Sequence, residues 1–151
     1  MVSLAPSCLQ IVNFSSVEAI NYTTEDMKAR VKELTNGKGV DVVYDPVGDK
    51  YAEPAIRSLA WKGRYLVIGF AAGEIPSIPL NLALLKGASI VGVFWGQFAA
   101  LEPMESMTNF KEILEWIAEG KLKQHIHGAF SLDQAHIALR EIGRASGRER
   151  V

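Results

Sequence analysis

Cysteine is almost absent from this chain. Cys8 stands alone among 151 residues, so no internal disulfide can form and no cysteine-rich zinc lobe can be built. That usage fits a reducing compartment, and a cytoplasmic location is expected. An excess of one charge is missing too: 16 Lys and Arg stand against 17 Asp and Glu, for a net charge of −1. Such a balance offers no basic footprint to nucleic acid and none to an anionic membrane. The apolar runs stop at strand length, too short for a bilayer. The opening MVSLAPSCLQIVNF has no basic lead and is broken by Pro6, which argues against a secretory signal. With 48% hydrophobic and 22% charged residues, the composition is that of one globular domain with room for a core.

Periodicity supplies the elements. VEAIN (17–21) is a short apolar run. In TTEDMKARVKELTNG, Met27, Val31 and Leu34 share one helical face, with Thr23 or Thr24 as the expected cap and Asn36-Gly37 as the stop. VDVVY (40–44) is β-branched and bounded by Gly39 and Asp45-Pro46, which predicts a strand. Residues 50–60 carry Tyr51, Ile56 and Leu59 at roughly helical spacing, with Pro54 in the first turn. WKGR reads as a turn, and YLVIG (65–69) as a strand covered on both faces. NLALLK (81–86) predicts a short helix and ASIVGVFW (88–95) a further strand. Met107, Phe110, Leu114 and Ile117 mark the inner face of a helix over about 104–119, stopped by Gly120. Ser131 with Gln134 forms a capping box for a last helix bearing Leu132, Ala135 and Leu139. This alternation predicts an α/β fold with a parallel sheet and helices on both faces, ligands sitting beyond the carboxyl ends of the strands.

At that rim the sheet ends in DPVG and GFAAG. Both stretches offer backbone and small side chains, which a flat ring such as nicotinamide can approach closely. The helix N-termini that follow each loop are expected to contribute unpaired amides. The plainer alternative is that Asp45-Pro46 caps a helix and AAG is only a turn.

EAINYTTED, GKGVDVVYDPVG, RSLAWKGRYLVIGFAAGEIP and LLKGASIVGVFWG resemble the cofactor domain of zinc-independent quinone oxidoreductases, the zeta-crystallin-like branch of the medium-chain dehydrogenase/reductase superfamily. The resemblance implies a Rossmann-type doubly wound parallel sheet binding NADPH. It also implies hydride transfer to a quinone or an α,β-unsaturated carbonyl without a catalytic metal. Residue by residue, Tyr22 matches a contact to the adenosine 2′-phosphate. Pro46, Val47 and Gly48 match the loop under the cofactor, and Ile68, Gly69, Phe70 and Ala71 the loop beside the nicotinamide. Phe94 and Trp95 fall on the substrate side of the cleft, and the strand over 88–94 is the implied homodimer edge.

The family's glycine-rich turn, G-x-x-G-x-x-G, occurs nowhere in the chain. The expectation is therefore an incomplete sheet with its first βα unit missing. Residues 1–16 match nothing in the family, 17–141 form a partial dinucleotide-binding domain, and 142–151 form a tail. That tail, IGRASGRERV, resembles one translated frame of a sequencing adapter; the alternative is the charged end of a helix. On this reading the isolated chain is inactive. Two other readings stand beside it: a non-enzymatic dimerisation module, or part of a related enoyl reductase. His125 and His127 have ligand-like spacing but no third partner, so no metal site is expected.

Overall fold

A computed structural model of the chain describes residues 2–4, 18–21, 24–122, 126 and 128–145, the side chains of 2–4 and 142–145 excepted. The chain divides into two compact units, Met1–Gln97 and Phe98–Val151.

The first unit holds two parallel sheets. Strands β1 (Val2–Leu4) and β2 (Glu18–Ile20) pair with each other, and β1 falls where no element is expected from the sequence. Helix α1 (Met27–Leu34) follows. Its cap is Asp26 rather than a threonine: the Asp26 carboxylate accepts the Ala29 amide at 2.8 Å. Thr24 sits in the preceding turn, its hydroxyl directed to the Asn21 carbonyl, and Thr23 lies outside the described residues. Asn36 and Gly37, both at positive φ, end the helix region as expected.

Strand β3 (Val40–Asp45) leads through a 3-10 turn at Asp49–Tyr51 into α2 (Ala52–Arg57), then β4 (Leu59–Val67), α3 (Asn81–Lys86) and β5 (Ser89–Gly92). The second sheet is parallel throughout, in the order β3-β4-β5. Pro54 sits in the first turn of α2, where its missing amide costs nothing. WKGR is not a free turn. It runs within β4 as an irregularity: Val40 pairs with Leu59 but Val42 with Arg64, and Lys62 takes φ 61°. A turn-like sequence has been absorbed as a bulge, which re-aims the strand without ending it. Strand β5 is shorter than 88–95, since Trp95 already opens α4 (Trp95–Leu101).

One core serves this unit. Ile20, Met27, Val31, Ala52, Ala55, Ile56, Leu59, Tyr65 and Leu82 are buried together, so β2 and α1–α3 share it with one face of the second sheet. Among the described residues of this unit, no helix lies on the other face. Val42, Tyr44 and Val91 are exposed there and Leu66 half-buried. Tyr65 and Leu66 show the contrast within one strand, because alternate side chains point to opposite faces.

In the second unit, α5 (Pro103–Ala118) starts with proline in its first turn and stops before Gly120 at φ 70°. Its expected inner face is open: Met107, Phe110 and Leu114 are exposed and Ile117 half-buried. Ser131 and Gln134 form the predicted capping box ahead of α6 (Ala135–Ala145), although Leu132 and Leu139 are also exposed.

Candidate functional site

The register fixes the geometry of the rim. Asp45, Val67 and Gly92 pair across the sheet, so the segments after β3, β4 and β5 all leave from the same carboxyl edge. The two loops singled out in the sequence therefore lie side by side. Main-chain bonds join them: the Ala71 amide donates to the Pro46 carbonyl and the Ala72 amide to the Val47 carbonyl, both at 3.0 Å.

Gly48 sits at the centre of the seam. Its φ of 70° is a left-handed conformation, and a Cβ there would come within 2.9 Å of the Phe70 ring. Glycine is thus required twice, by backbone and by space.

Asp45 organises the first loop. Its Oδ1 accepts the Val47 amide at 2.8 Å and the Gly48 amide at 2.9 Å, while the Tyr65 hydroxyl donates to Oδ2. Tyr65 is only 3% exposed, and Asp45 is buried too. Burial first, then the hydrogen bond and the charge of Asp45, push the Tyr65 phenol well above its ordinary value of 10.0. It remains a neutral donor throughout the neutral range.

This bonding limits what the loops themselves can offer. The amides of Val47 and Gly48 are not free for an anionic ligand, because Asp45 takes both. The amides of Ile68, Gly69, Ala71 and Ala72 are also spent on main-chain carbonyls. What faces outward is the exposed ring of Pro46, the partly exposed Phe70 and the small Ala71. Such a surface suits a flat uncharged ring better than a phosphate, which needs donors. The glycine-rich turn that would hold a pyrophosphate occurs nowhere in the sequence.

Phe94 and Trp95 follow β5 at the same edge and are strongly exposed, at 73% and 72%. Tyr22, His125 and His127 lie outside the described residues. Among the described residues, no cluster of three or more His, Cys, Asp or Glu has metal-ligand geometry. A cavity of about 530 Å³ opens one residue past the first loop, lined by Asp49, Lys50, Glu53, Arg57 and Glu74 among others. It includes none of the predicted loop residues, which form an open rim rather than a closed pocket. Sequence reasoning passed over the Asp45–Tyr65 pair. Twenty residues separate its members, and only the strand register brings them together.

Comparison with known proteins agrees with this architecture. The family model described as "Zinc-binding dehydrogenase" matches residues 16–119. A quinone oxidoreductase-like protein 2 homolog from Nematostella vectensis is 36% identical over 87% of this chain and 36% of its own length. Quinone oxidoreductase-like protein 2 from Bos taurus is 32% identical over 95% of this chain and 41% of its own. The chain thus spans well under half the length of the curated relatives it matches. Among solved structures, a Pseudomonas syringae quinone oxidoreductase superposes with a TM-score of 0.77 at 26% identity, covering 99% of this chain and 46% of that one. An Escherichia coli quinone oxidoreductase complexed with NADPH gives 0.65 at 28%, over 72% of this chain and 33% of that one. By that family match, and by relatives similar along most of its length, the chain belongs to the zinc-binding dehydrogenase family and forms the C-terminal Rossmann part of its quinone oxidoreductase branch.

Proposed function

We propose that this chain is the nicotinamide-binding part of an NADPH-dependent quinone or enone oxidoreductase. The observation that carries the reading is the seam of DPVG and GFAAG, two loops bonded to each other at the carboxyl edge of a parallel sheet. The reduced nicotinamide, when bound, supplies the hydride. The chain's own residues hold and orient it: Pro46, Val47 and Gly48 beneath the ring, Ile68, Gly69, Phe70 and Ala71 beside it, and Phe94 and Trp95 toward the acceptor. No general acid is assigned, because hydride transfer depends chiefly on how donor and acceptor are positioned. NADPH rather than NADH rests on Tyr22 and on the similar Escherichia coli quinone oxidoreductase solved with NADPH. No catalytic metal is invoked, and a cytoplasmic location is part of the same proposal. No described helix is long and apolar enough to cross a membrane.

These 151 residues by themselves are proposed to be catalytically silent, since the glycine-rich pyrophosphate turn occurs nowhere in them. Purified chain with NADPH and menadione tests this. Turnover of ~1 s⁻¹ or more, within the ordinary enzymatic range, would contradict it.

A second reading has its own support. β5 is the outer strand of its sheet, and all four of its residues are exposed. An open edge of this kind can pair with a second copy. A defined dimer by light scattering, with no NADPH binding, would favour a non-enzymatic dimerisation unit; a monomer would count against it.

A further inference from the structure

Asp45 is the meeting point of five donors from three places. Its Oδ1 takes the Val47 and Gly48 amides of the first loop, its main-chain carbonyl takes the Ile68 and Gly69 amides of the second, and its Oδ2 takes the hydroxyl of Tyr65. Tyr65 in turn is packed in the core with Ile56, Leu59 and Leu82. A chain of contacts therefore runs from the core, through one phenol and one carboxylate, into both rim loops. The bonds between Ala71 and Pro46, and between Ala72 and Val47, close the circuit.

We propose that Tyr65 and Asp45 are positioning residues that tie the two loops to the core as one rigid platform, setting where the nicotinamide ring rests. The proposal deepens the functional reading above and depends on it for the ligand, though the tie itself can be tested without any ligand. The chemistry favours a carboxylate in this place. A single carboxylate accepts from several directions at once, and hydrogen bonds to a charged group are stronger than those between neutral ones. Removal of the phenol oxygen would leave Oδ2 without its donor inside the protein, at the foot of both loops.

Two variants of the full chain separate the tie from general stability. Tyr65→Phe removes the hydroxyl and little else. Asp45→Asn keeps an oxygen for the Val47 and Gly48 amides and turns an amide N–H toward the Tyr65 oxygen, so a weaker neutral bond of reversed direction replaces the charged one. Amide hydrogen exchange is followed by NMR at Val47, Gly48, Ala71 and Ala72, with Arg30 and Thr35 of the α1 region as controls. Tyr65→Phe is expected to speed exchange in both loops together by about tenfold and Asp45→Asn by a smaller factor, with the controls unchanged. Unchanged loop exchange would overturn the proposal, as would acceleration confined to one loop, or equal acceleration at the controls. NADPH titrated into the unsubstituted chain tests the functional reading separately. If exchange responds as expected but NADPH shifts none of these amides, the platform stands and its ligand is misassigned.

Discussion

At the scale of single residues, Tyr65 gives the sharpest prediction. Its phenol is held protonated in the folded chain at pH values where an unfolded chain would already release the proton. The folded state therefore binds this proton more tightly. The contribution is full below about pH 10, the ordinary tyrosine value, and falls as pH rises toward the folded value. Chemical denaturation of the parent and of Tyr65→Phe should differ by about 1.5–3 kcal/mol at pH 8, the worth of a hydrogen bond to a charged group. The gap should narrow between pH 10 and 11. A constant gap would mean that the hydroxyl contributes nothing through its proton. The sequence showed Asp45 only as the acid that ends a strand, and Tyr65 only as an apolar strand residue. Their bond became visible only with the register that sets Tyr65 one position before the partner of Tyr44. Gly48, by contrast, was legible as a residue the loop would need, because a bare backbone after DPV is itself the signal.

At the scale of elements, the helix caps separate what patterning can and cannot resolve. The α1 face of Met27, Val31 and Leu34 was readable from spacing, and Met27 and Val31 are buried as it requires. The cap was not, because Thr23, Thr24 and Asp26 are all competent N-caps and only the hydrogen bond to Ala29 decides among them. Asp26→Ala should cost about 1 kcal/mol in urea unfolding, and Thr24→Ala less than about 0.5 kcal/mol. Equal losses would return the cap to the threonine. The WKGR bulge follows the same rule. Gly63 and the left-handed Lys62 mark an irregular backbone, but whether it ends a strand or bends one depends on a partner that local sequence does not contain.

At the scale of the whole molecule, the open sheet face and the open edge have a consequence. Val42, Tyr44 and Val91 form an exposed apolar surface beside β5, which is an outer strand of its sheet among the described residues. Exposed faces and edges of this kind drive association. The chain should show a scattering mass that rises with concentration, and Val91→Lys should lower it by placing a charge on the face next to the edge. A mass independent of concentration in both would contradict this. The parallel βαβ order was legible because apolar strands alternate with helical periodicity. The exposure of Tyr44 and Val91 on the sheet and of Met107 and Phe110 on α5 was not, since an apolar pattern records only what a residue is suited to meet. The claim on which the functional reading turns is that the joined loops receive the nicotinamide ring. Intermolecular NOEs from the nicotinamide protons of NADPH test it most directly. They are predicted to reach the methyl groups of Val47 and Ala71 together. Contacts made only with residues lining the cavity beside α2, such as Ile75 and Ile78, would contradict it.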